Sequence, residues 1–218
     1  MPYLTVITAD VIDSRRHEDI RRRLEERLPR LEHPLLLTPF TVSRGDELQA
    51  VCQGVLAAPE LVRRLRHACL PLVLRIGVGL GSADSETAAS SWDMSGEAFF
   101  RARDAMERLK PGKHPRTRLL SGDARFDTVA NGLFELLDTT WMYWTAAQWE
   151  AVMAYEREGT YGAAGAVLGI ALQNVEKRCK AARWASVRAG EAALRTLGDW
   201  YGIFTRDKVN QPPSPDER

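Results

Sequence analysis

The sequence predicts an α+β protein in which a β-α-β-β-α-β half precedes an all-helical half. Two observations predict it. Short β-branched runs alternate with helical periodicities up to about Leu120, and from about Trp141 strands vanish while alanine rises. The 218 residues, 44% apolar and 27% charged, leave room for one large domain or two small ones.

Tyr3 to Ala9 reads as a buried strand, and Ser14 as the cap of a helix from Arg15 to Arg30, in which Ile20, Leu24 and Leu28 recur at helical spacing. "LLLTPFTVSRGDELQAVCQGV" gives two strands about a turn at Arg44-Gly45-Asp46. Ala57-Ala58-Pro59-Glu60 opens a second helix through His67, and "LPLVLRIGVGLG" supplies a fourth strand ending in glycines. This order is the split βαβ arrangement of ferredoxin-like and palm domains. After the polar loop "SADSETAASSWDMSG", a helix runs from about Glu97 to Leu109, "RTRLLSGD" adds a fifth strand, and "ARFDTVANGLFELLDTT" is again helical. The expected boundaries are 1–138 for the first domain, 139–205 for the helical domain and 206–218 for a polar tail, ending "QPPSPDER", expected to be disordered.

Composition excludes several classes. A formal net charge of +1 argues neither for nor against nucleic acid, so any basic surface is local. No apolar run approaches the roughly 18 to 20 residues of a membrane helix, and "MPYLTVITAD" lacks a signal peptide's basic region and cleavage site; a cytoplasmic protein without membrane contact is expected. Cys52, Cys69 and Cys179 sit far apart without a C-x-x-C, as buried thiols do. The four histidines, His17, His33, His67 and His114, have neither triad-like nor ligand spacing.

The chemistry concentrates at the end of the first strand. A carboxylate there needs a hydrogen bond, a cation or a metal. In a β-α-β-β-α-β fold the first strand neighbours the hairpin, which brings Asp10 towards Asp46. Two readings stand open. Either the pair holds a divalent cation, Mg²⁺ or Mn²⁺, with a nucleotide, or it is a structural pair satisfied by Arg15, Arg44 or backbone N–H groups. For the first reading, Asp13-Ser14-Arg15 offers helix N-terminal N–H groups to phosphates, with Arg15, Arg16 or Arg44 as clamps; Asp13 also suits a cap. "GVGLGS" lacks the G-x-G-x-x-G of a phosphate loop, so strand packing or close ligand approach explains its glycines better.

"TADVIDS", "VSRGDELQAVC" and "LRIGVGLG" resemble the palm of class III nucleotide cyclases and diguanylate cyclases, which implies metal-binding aspartates at Asp10 and Asp46. More closely, Asp10 to Arg15, Gly45 to Gln49, Arg75 to Gly79 and Gly96 to Arg103 resemble the motifs of the SatD family, in the same order over roughly the first 110 residues. That resemblance supplies no reaction. Against the cyclase pattern, the asparagine and arginine that orient the ribose and neutralise the transition state fall on Phe100 and Asp104. Arg101 or Arg103 would have to substitute as phosphate-binding groups, yet Arg103 lies about 100° round the helix from Asp104. Loss of such charge stabilisation costs orders of magnitude in rate, which argues against an efficient cyclase.

The second half carries a different signal. Gly165, Gly169, Ile170 and Val175 have helix-turn-helix spacing, and "LGIALQNVEKRC" resembles region 4 of sigma factors, with Ala171 for serine and Cys179 for leucine. That likeness implies a recognition helix bearing Gln173, Asn174, Lys177, Arg178 and Lys180. Gln and Asn suit adenine, while Lys and Arg suit guanine or phosphate. From Leu172 to Arg183, four bases against Glu176 leave a local charge of +3. A protein-binding helical bundle is the competing reading. The apolar positions Val187, Ala193, Leu194, Leu197, Trp200 and Tyr201 suit a homodimer, which readers of two half-sites usually form.

The expected function is that of a DNA-binding bacterial regulator whose palm binds, or once bound, nucleotide and divalent metal, with ligand at Asp10 and Asp46 shifting the palm against the helices. The alternatives are a metal-dependent nucleotidyl cyclase or related transferase, and a non-catalytic adaptor or dimerisation protein.

Overall fold

A computed structural model describes residues 3–16, 19–43, 45–84, 90–110 and 113–210, with side chains as far as Gly202 and that of Arg16 left out. The fold is α+β. Five strands, β1 (Tyr3–Val11), β2 (Leu36–Val42), β3 (Leu48–Gln53), β4 (Leu74–Ser82) and β5 (Thr117–Leu120), form a mixed sheet in the order β2-β3-β1-β4-β5. β1 pairs antiparallel with both β3 and β4, and β5 adds to β4 in parallel.

Both sheet faces are covered, which follows from strand alternation. Ile7, Ala9 and Val11 of β1, with Leu74, Ile76, Val78 and Leu80 of β4, face the main core under α1 (Ile20–Arg27), α2 (Glu60–Cys69) and α4 (Ala124–Met142). Leu4 and Val6 face the other way, into a smaller cluster beneath α3 (Glu97–Glu107). On that side β4 presents Gly77, Gly79 and Gly81. A Cβ at Gly79 would overlap the backbone of Ala98 and Ala102 in α3, so these glycines let helix and strand backbones touch. Strand packing explains "GVGLG".

The expected helix from Arg15 to Arg30 is broken. Ser14–Arg16 form one 3-10 turn, Asp13 and Asp19 adopt positive φ, and α1 begins only at Ile20, with Asp19 rather than Ser14 at its cap. Aspartate tolerates the left-handed region better than most residues, and helical backbone cannot continue through either position. Pro29 converts the far end into a second 3-10 turn, Leu28–Arg30.

The helical half comprises α5 (Ala146–Glu158), α6 (Tyr161–Leu168), α7 (Leu172–Ala181) and α8 (Trp184–Asn210). α4 runs to Met142, across the expected boundary at residue 138, and α8 runs into the segment expected as tail; residues 211–218 lie outside the described ones. One buried cluster joins both halves, since Trp141, Trp149, Val175 and Leu194 belong with Leu61 and Leu65. The side chain of Arg63 on α2 is fully buried and donates to Glu191 of α8 (Nε to Oε1, 2.7 Å) and Glu156 of α5 (Nη2 to Oε1, 2.7 Å), 4.6 Å over the ring of Trp184. The apolar residues of α8 expected to form a dimer face are largely used within the chain: Val187 and Leu194 are buried, Leu197 and Tyr201 pack on the core, and Tyr201 lies against Phe126. Trp200 stays exposed.

Candidate functional site

β1 continues two residues past Ala9, so Asp10 lies within the strand, on the face shared with Leu4 and Val6. Its register partner on β4 is Arg75. Cross-strand partners point to the same face, and the pair is bidentate: Arg75 Nε donates to Asp10 Oδ1 at 2.9 Å and Nη2 to Oδ2. Arg75 emerges where α3 ends, and its Nη1 donates to the Leu109 carbonyl at 3.0 Å. The hydrogen bond to Asp10 is the largest influence holding the Arg75 guanidinium more firmly charged than an ordinary arginine; Asp46 adds its field from the hairpin. Asp10 is thus ion-paired with Arg75, whose charged form the field of Asp46 also favours. Arg44, another expected partner, lies outside the described residues.

Beside this pair opens a cleft of about 410 Å³, lined by Asp10, Glu47, Gln49, Arg75, Phe99 and Arg103 among others. Each of the four sequence motifs contributes to its wall. Arg103 and Arg101 diverge: Arg103 faces the cleft, whereas Arg101 donates to the Leu80 carbonyl (2.8 Å) and approaches Glu97 (3.4 Å) near Gly122. Phe100 and Asp104 are exposed and line no part of the cleft. With no α-helix starting at Asp13-Ser14-Arg15, a 3-10 turn stands where a helix dipole for phosphates was expected.

A divalent cation at Asp10 would compete with Arg75, because both carboxylate oxygens already accept from the guanidinium. Among the described residues no group of three or more His, Cys, Asp or Glu side chains could hold a metal. A cation at Asp10 and the Arg75 guanidinium are therefore alternatives for the same carboxylate.

In the helical half, Thr145 caps α5 in a reciprocal capping box with Gln148. Gly169 takes a left-handed φ of 66°, the Ile170 N–H donates to the Gly165 carbonyl at 3.0 Å, and a Cβ at Gly165 would crowd the Ile170 carbonyl. This turn sets α7 against α6. α7 buries Val175 and Cys179 and leaves Gln173, Asn174, Lys177 and Lys180 exposed, with Arg178 half-buried. Asn174, Lys177 and Arg178 border an open groove of about 420 Å³ against Thr145 and Gln148. Lys180 is paired with Glu176 at 2.7 Å, which raises its pKa and trims the positive face.

The SatD family profile matches residues 3–179, spanning the sheet, the cleft and the helices as far as Cys179 in α7. The chain belongs to the SatD family. No curated protein sequence matches this SatD-family chain. Among solved structures, a regulator of polyketide synthase expression from Bifidobacterium adolescentis is similar at 14% identity, covering 94% of this chain and 81% of that one, with a TM-score of 0.26. Among the described residues no helix is long and apolar enough to cross a membrane.

Sequence reasoning missed Arg75 as the partner of Asp10, although "RIGVG" was singled out. Strand-end registers rest on pairing between segments 65 residues apart. It also missed Arg63 and Arg66, charged residues on α2 that end up buried.

Proposed function

We propose that this SatD-family chain is a DNA-binding regulator whose α7 reads duplex DNA. The observation that carries the reading is the outward face of α7, where Gln173 is exposed and Asn174 and Lys177 stand exposed over a groove that also takes in Arg178 and the capped start of α5. Gln and Asn amides suit adenine edges, and the bases suit guanine or phosphate. The test is fluorescence anisotropy with labelled duplex DNA across a salt series. Binding should weaken steeply with salt, about 0.9 log units per log unit of salt for each phosphate neutralised, and Lys177→Ala should lower that slope by about 1. Absence of salt-dependent binding, or an unchanged slope, refutes the reading.

A second reading is that the sheet is a ferredoxin-like palm whose cleft takes a nucleotide and divalent cation, as its strand order and the presence of Asp10, Glu47 and Arg103 in the cleft wall support. Arg75 and a cation are then alternatives for Asp10. Nucleoside triphosphate with Mg²⁺ or Mn²⁺ would raise the melting temperature, and Asp10→Ala would abolish the rise. Exposed Phe100 and Asp104 argue against efficient cyclisation, because neither supplies an amide or guanidinium to the cleft.

A further inference from the structure

A second pocket, separate from the cleft, lies where the start of β4, the end of α4 and the start of α5 meet. Its volume is about 140 Å³, and Arg66, Arg116, Asp138, Trp141, Trp144 and Trp149 are in its wall. Asp138, 3% exposed, is the carboxylate there and is saturated: it accepts from Arg66 Nη2 (2.9 Å), the backbone N–H of Arg116 (2.8 Å) and of Thr117 (2.6 Å), and the Thr117 hydroxyl (3.0 Å). Four acceptances fill the lone-pair capacity of a carboxylate. Among the described residues, the Nε of half-buried Arg116 has no hydrogen-bond partner, and the residue lies close enough to Arg66 to oppose that residue's charge.

The residues of this wall also hold unused donors. Arg66 Nε, Arg116 Nε and Trp141 Nε1 are buried without partners among the described residues, and all three are N–H groups. Two arginines against one carboxylate leave a net positive charge. A partly buried cation with unsatisfied donors is costly unless an acceptor completes it, and an anion suits the net positive charge best. The rest of the wall is apolar: tryptophans, with Leu70 and Leu72. Cavities of about 150 Å³ accommodate a single benzene ring.

We propose that this pocket binds a small organic carboxylate no larger than one aromatic ring, its carboxylate on Arg116 and its ring against the tryptophans. The carboxylate supplies the acceptor that Asp138 no longer has, and the three-tryptophan wall suits a flat apolar body. Trp144 also donates from Nε1 to the Ala182 carbonyl at the end of α7 (2.8 Å), so the ligand would sit one side chain from the helix-turn-helix. The site is independent of the DNA-binding and nucleotide readings.

Benzoate, its neutral isostere benzamide and inorganic phosphate serve as probes for the intact chain, read by tryptophan fluorescence and calorimetry. Benzoate should give a saturable change while benzamide does not, and Arg116→Gln should weaken benzoate roughly tenfold or more, with Arg116→Lys retaining part of the affinity. Equal response to benzamide, binding of phosphate without benzoate, or unchanged benzoate affinity in Arg116→Gln overturns the proposal. The benzoate and benzamide comparison in the unaltered protein decides the matter even if a variant folds poorly.

Discussion

Replacing Arg63 with methionine removes the charge on which α2, α5 and α8 converge while keeping an apolar chain of similar length. Two carboxylates lose it unequally. Glu156 has a side chain 21% exposed and keeps Arg64 at 3.4 Å, whereas Glu191 has a side chain 6% exposed and loses its ion-pair partner. Breaking a buried pair costs about 3–5 kcal/mol, and with Glu156 partly compensated the lower end, about 3 kcal/mol, applies. For a chain of this length that corresponds to a melting temperature lower by roughly 6–12 °C. Urea and thermal unfolding measure both quantities. The direction of the pKa shifts adds a second signature. Burial, the largest influence on Glu191, raises its pKa above the ordinary 4.5; burial also acts on Glu156, but Arg63 and Arg64 together overcome it and lower that pKa. A raised carboxylate contributes stability that is fully present below 4.5 and lost as pH rises through its folded value. In Arg63→Met the deficit should therefore shrink towards acid pH, and adding Glu191→Gln at neutral pH should restore more than half of it. A loss below about 1 kcal/mol, or no recovery on adding Glu191→Gln, refutes the claim that Arg63 clamps the two halves.

Two further substitutions probe the packing. Gly79→Ala forces a methyl group into the backbone of α3 and should cost about 3 kcal/mol, measured by urea unfolding; a cost below about 1 kcal/mol would mean that α3 can lift off the strand freely. His67 packs against Trp149 at 5.8 Å, and burial, reinforced by Arg63, lowers its pKa below 6.5. Its neutral form therefore contributes stability present above 6.5 and lost as pH falls through the folded value. His67→Gln should flatten stability against pH below that point, and an unchanged profile would assign the slope elsewhere.

Much of the strand pattern was legible because alternation is local. "LTVITADV" and "LRIGVGLG" sort themselves onto two faces, and the glycines of β4 announce a helix laid against them. The helix-turn-helix elements were legible for a similar reason: Gly165, Gly169, Ile170 and Val175 lie within a dozen residues. The start of α1 was misplaced because Ser14-Arg15-Arg16 is compatible with helix, and only the positive φ of Asp13 and Asp19 forbids it. Arg63 was unreadable as a core residue, since its partners Glu156 and Glu191 lie 93 and 128 positions away. For α8 the sequence distinguishes buried from exposed but not the chain's own core from another copy's, and that is why its apolar face suggested a dimer.

The buried cation bears on the expected mechanism in which a ligand shifts the sheet against the helices. Such a displacement would have to separate Arg63 from Glu156 and Glu191 and draw Trp184 off the guanidinium. Each of those contacts is buried or partly buried, so a rigid-body opening carries the cost of exposing or orphaning several charges at once. A change confined to the junction of α4 and α5 does not. There Trp144 spans from the wall of the arginine pocket to the end of α7, through a hydrogen bond that involves neither Arg63 nor its partners. On the proposed reading of α7 as a DNA-binding helix, a ligand acting at the α4–α5 corner would therefore carry a lower cost than one that separated the two halves.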